Sequence, residues 1–103
     1  MNSEKDRLMA YRHILRNQLD SVIDAYKDSI NGRTKKIKES ASNKLWKEAS
    51  RLMDYIVKDE ELHNLFKEAH ADPLVAFHGI RNGQADSSVK PLLNLIESKI
   101  ESL

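Results

Sequence analysis

The chain is expected to fold as an all-α bundle, and three observations support this. Apolar residues return every three or four positions over long stretches, as a 3.6-residue turn requires. Only 3 Gly and 2 Pro occur in 103 residues, too few for the frequent turns of a strand-rich fold. Capping residues stand where most of these apolar rhythms begin. Strong punctuation is confined to Asn31-Gly32 and to the stretch from Asn82-Gly83 through Asp86-Ser87-Ser88, with a weaker break at Ala71-Asp72-Pro73. No internal repeat, low-complexity tract or compositional shift divides the chain, so a single domain over 1–103 is expected.

The first helix is expected at about 3–30. Ser3 is its cap, and Leu8, Tyr11, Leu15, Leu19, Val22, Tyr26 and Ile30 form its apolar stripe. Asn31-Gly32 offers a left-handed stop. The second helix, about 34–57, begins near Thr34 and repeats Ile37, Ala41, Leu45, Ala49, Leu52 and Ile56, which makes it an antiparallel partner of the first. A third, about 59–70, opens on Asp59-Glu60-Glu61, acids suited to the positive end of a helix, and carries Leu62, Leu65, Phe66 and Ala69. Asp72-Pro73 has the cap-plus-proline form of a fourth start at about 73–81. Because Leu74-Val75-Ala76-Phe77-His78-Gly79-Ile80 is apolar on nearly every side, this helix is expected to be buried. The fifth, about 88–102, is expected to be capped by Ser88, with Pro91 in the tolerated first turn and Val89, Leu92, Leu93, Ile96, Ile100 and Leu103 on one face.

A 28-residue helix is about 42 Å long, against a diameter of about 30–35 Å for a globule of this size. Either the first helix bends, or its end projects with the second as a hairpin whose apolar seam would suit a homodimer, or the three shorter helices stack end to end and cover the hairpin.

Composition excludes several classes of function. With no Cys there is no thiolate catalysis, disulfide or cysteine-bound metal. The longest apolar run, Leu74–Phe77, is far shorter than the ~20 residues of a membrane span. The start MNSEKD lacks the charged-then-apolar order of a secretory signal, so a cytoplasmic location and no membrane partner are expected. There is no glycine-rich phosphate cradle and no GxSxG elbow. His63 and His70 share a helical face with Lys67 between them. That spacing does not match the i, i+4 pair of HExxH, and only a particular fold would bring His78 and Glu68 to them. No enzyme, metal, cofactor or small-molecule substrate is expected.

Charge position says more than the net charge of +1. Residues 1–58 hold 13 Lys+Arg against 8 Asp+Glu, a surplus of +5, and residues 59–103 hold 4 against 8, a deficit of −4. On the second helix Arg33, Lys36, Lys44, Lys47, Arg51 and Lys58 fall within an arc of roughly 80°, away from the apolar stripe. Asp54 interrupts the line and Trp46 lies at the edge of the stripe. On the first helix Asp6, Asp20, Asp24 and Asp28 gather opposite Leu15 and Tyr26.

A basic line can be simply a solvated face, a phosphate-backbone contact, or a docking face for an acidic protein surface, including the aspartate face of a second copy. Near-neutral charge and the lack of basic–aromatic alternation speak against nucleic acid. A helix-turn-helix over 62–81 fails because its second helix offers Leu74, Val75, Ala76, Phe77 and Ile80 where base-reading residues are needed. The function expected is therefore a protein-interaction module of inhibitor, adaptor or chaperone type. Its docking residues are expected to be Arg33, Lys36, Lys44, Trp46, Lys47, Arg51 and Lys58, and nonspecific nucleic-acid binding by the same face is the alternative.

Overall fold

The computed structural model describes residues 3–70 and 72–103. Ala71, part of the expected break before Pro73, lies outside the described residues, as do Met1 and Asn2. Five helices follow in order: α1 Ser3–Asn31, α2 Lys35–Lys58, α3 Glu60–Ala69, α4 Pro73–Arg81 and α5 Ala85–Glu101.

Three starts are capped as the local chemistry requires. The Thr34 hydroxyl accepts from the Ile37 N–H at 3.2 Å, and the Asp59 carboxylate accepts from the Leu62 N–H at 3.0 Å. Asp72 accepts from Leu74 and Val75 at 3.1 and 3.4 Å, with Pro73 as the first helical residue. Each bond satisfies a first-turn donor that has no partner within its helix.

α1 and α2 form a long hairpin, and α1 packs more extensively on α2 than any other pair of helices. α5 packs on α1 and α4, while α3 bridges α2 and α5. Leu8, Leu15 and Val22 of α1 meet Leu52 and Ile56 of α2, Leu62 and Phe66 of α3, Ile80 of α4 and Val89, Leu92 and Ile96 of α5 in one core. Ion pairs at the rim tie α1 to its neighbours: Arg7 to Glu61 at 3.1 Å, and Arg12 and Arg16 to Glu97 at 3.4 and 2.7 Å. The molecule measures 51 × 28 × 20 Å, longer than a globule of this size. The extra length is the hairpin tip, where Ile30 and Ile37 stay exposed because no further helix reaches them.

Three expectations are corrected. Gly32 does not take the left-handed conformation, since among the described residues only Gly83 has positive φ, at 85°. The Gly32 N–H instead continues the helical pattern to the Asp28 carbonyl at 3.0 Å, and the turn into α2 is tight enough for a Cβ there to crowd Ile37 and Lys38.

α4 is not buried all round. Ala76, Gly79 and Ile80 face the core, whereas Leu74 and Val75 are 70% and 63% exposed. A nine-residue helix lying on α5 and α2 has only one side covered.

α5 begins at Ala85, not at Ser88, and Pro91 lies inside it. α4 closes with a Schellman turn in which the Gln84 N–H reaches the Gly79 carbonyl at 2.8 Å. That turn runs straight into α5, leaving only Asn82–Gln84 between the two helices. Ser88 is then a packing residue whose hydroxyl lies where a Cβ on Gly79 would be.

Candidate functional site

Helical phase alone displays the basic line. The buried positions Ala41, Ala49, Leu52 and Ile56 turn one side of α2 inward, so Lys36, Lys44, Lys47, Arg51 and Lys58 are exposed on the other side. The structure divides the expected site in two. Trp46, Lys47, Arg51 and Lys58 line one shallow groove of about 510 Å³ with Ser50 and Asp54. Lys44 lines a smaller concavity of about 310 Å³ near the hairpin tip, with Asp28, Asn31, Gly32, Ile37 and Ser40. Arg33 lies in the turn between the helices and Lys36 in the first turn of α2.

Trp46 does not seal the core of its own domain, because it remains 58% exposed. The Arg81 guanidinium stands 5.1 Å from the centroid of its ring, a cation–π contact that joins the end of α4 to the middle of α2. Arg51 pairs with Glu48 at 3.4 Å. Among the described residues Arg33, Lys36, Lys44, Lys47 and Lys58 make no ion pair, so most of the line has no partner within its own chain.

Among the histidines, His70 holds two helices together. His70 points its ring nitrogens at two backbone carbonyls, those of Phe66 at 3.0 Å and Ser88 at 2.6 Å, and so ties the end of α3 to α5. Its ring also packs at 4.3 Å from that of Phe66. Among the described residues no group of three or more His, Asp or Glu is arranged to hold a metal ion. No helix there is long and apolar enough to cross a membrane.

Sequence reasoning did not find a groove of about 740 Å³ at the end opposite the hairpin tip. Five acids, Glu4, Asp59, Glu60, Glu61 and Glu68, line it with Lys58 and Lys99, alongside Leu8, Tyr11, Asn64 and Leu65. Asp59-Glu60-Glu61 was its one visible sign, and the helix start accounts for that run by itself.

The Tyr11 hydroxyl is shared between Asp59 and Glu61, at 2.9 and 3.3 Å. Burial first, then the hydrogen bond and charge of Asp59, raises its phenol well above the usual tyrosine value. Tyr55 is raised by burial and, less, by the charge of Asp59. Both shifts disfavour the ionised phenol in the folded state. Their contribution is present at neutral pH and is lost as pH rises above about 10, where an unfolded tyrosine ionises. Tyr11→Phe is therefore expected to lower stability by about 1 kcal/mol at neutral pH. It should also flatten the alkaline decline in the urea midpoint. An unchanged decline would show that Tyr11 does not drive it.

Comparison of the chain with protein families, with characterised proteins and with solved structures finds no match. The fold by itself defines an all-α bundle built on a long helical hairpin.

Proposed function

We propose that the protein is a non-enzymatic protein-interaction module whose docking face is the exposed side of α2. One observation supports this above the rest: the exposed Trp46, paired with Arg81, borders a groove lined by Lys47, Arg51 and Lys58. Tryptophan and arginine are the residues most often found to carry interface energy, and an aromatic anchor beside Lys47 and Lys58, which make no intrachain ion pair among the described residues, suits an acidic partner surface. The net charge of +1 and the lack of basic–aromatic alternation favour a protein partner over a phosphate backbone.

Immobilised protein and a Lys44→Glu/Lys47→Glu/Arg51→Glu variant, compared for capture of proteins and of a short oligonucleotide, distinguish the readings. Protein capture is expected to be lost in the variant at unchanged helicity. Equal capture by both would reject the α2 face. Oligonucleotide binding that falls steeply with salt would replace a protein partner with nucleic acid.

A further inference from the structure

The α1–α2 hairpin has one side covered by α3, α4 and α5 and one side uncovered, and the uncovered side is charged in two rows. On α1, Asp20, Asp24 and Asp28 are exposed at four-residue spacing, about 6 Å apart along the axis. On α2, Lys36, Lys44 and Lys47 are exposed over a comparable length. Among the described residues none of these six makes an ion pair. The rows run side by side along the antiparallel hairpin, and Asp28 of one and Lys44 of the other line the same concavity near its tip.

We propose that a second copy of this chain docks on this side, an inference that rests on the α2 docking reading and names its partner. A two-fold axis running along the hairpin lays α1 of each copy over α2 of the other, so the aspartate row of each copy meets the lysine row of the other, two such contacts in the dimer. A two-fold axis across the hairpin would set acid on acid and base on base, so charge selects the first arrangement. The available area is sufficient. Two helices about 10 Å wide each, over the roughly 36 Å of α2, present on the order of 700 Å² per copy, close to the ~800 Å² that a stable pair buries on each side. Attraction between such rows is screened by salt, so the dimer loosens as ionic strength rises.

The test is sedimentation equilibrium on the full chain and two charge-reversed variants, Asp20→Lys/Asp24→Lys/Asp28→Lys and Lys36→Glu/Lys44→Glu/Lys47→Glu, with helicity checked by circular dichroism. All six positions are exposed, so the fold is expected to survive. At low salt the wild type should run at twice the 11.9 kDa chain mass and shift toward monomer at high salt. Each variant alone should weaken self-association on the order of 100-fold, and mixing the two should restore a one-to-one dimer to within about tenfold of wild type. A monomeric wild type at low salt, assemblies larger than a dimer, or no recovery on mixing would overturn the second-copy inference. In that case, capture of another protein by the wild type but not by the Lys44→Glu/Lys47→Glu/Arg51→Glu variant would still support the docking reading, whereas equal capture by both would reject it.

Discussion

Phe66→Ala is expected to lower the unfolding free energy by about 3–5 kcal/mol, the range for removing a large ring from a packed core. Phe66 is fully buried. Its ring stacks on Phe77 of α4 at 4.6 Å and packs on His70 at 4.3 Å, and the His70 Nδ1 lies 3.0 Å from its backbone carbonyl. Truncation leaves a cavity where α3 meets α4 and removes the ring that packs on His70, the residue that ties α3 to α5. For a domain of this size, whose stability lies near 5–15 kcal/mol, that is a large share. Equilibrium urea unfolding measures it, with Phe66→Leu as a milder companion that keeps most of the apolar volume. A loss below about 1.5 kcal/mol for the alanine variant would mean that the site collapses around the gap and that Phe66 does not organise this junction.

Gly83→Ala carries the second large effect, on the order of 3 kcal/mol, from two separate sources. The residue sits at φ 85°, where a side chain costs about 1–2 kcal/mol. A Cβ there would also overlap the ring of Tyr26, which packs against the end of α4, and overpacking adds about 1–3 kcal/mol. A double-mutant cycle separates the two. In a Tyr26→Ala background the overlap is gone and only the conformational part remains, so Gly83→Ala should be clearly milder there. An equal loss in both backgrounds would show that the Tyr26 ring moves aside freely and that the turn geometry is the whole effect.

Most of the secondary structure was legible because its causes are local. The stripes of α1 and α2 follow from spacing alone, and Thr34, Asp59 and Asp72 cap donors two or three residues away. The start of α5 was misread for the opposite reason. Ser88 is chemically a good cap, but its hydroxyl packs at Gly79 and its carbonyl serves His70, both distant in sequence. The burial of α4 was overstated because apolar character shows that a helix can be buried, whereas the neighbours that cover it decide which of its sides are. Ala76 and Ile80 found such neighbours, and Leu74 and Val75 did not.

The same division runs through the candidate site. Lys36, Lys44, Lys47, Arg51 and Lys58 were placed on one face by the helical repeat, a property of the chain segment itself. Arg81 over Trp46 joins two helices, and the acidic groove gathers residues from Glu4 to Lys99.

By itself, then, the sequence determined the all-α class, most of the boundaries and caps, and the line of charge along α2. These depend on interactions within a few residues, and the 3.6-residue repeat turns spacing into direction. Only the tertiary structure decided which apolar side chains are covered, how Gly79 and Gly83 are used, and that Asp28 of the acidic row and Lys44 of the basic row meet at one concavity of the hairpin. Those outcomes depend on which helices pack together, and no local pattern contains that information.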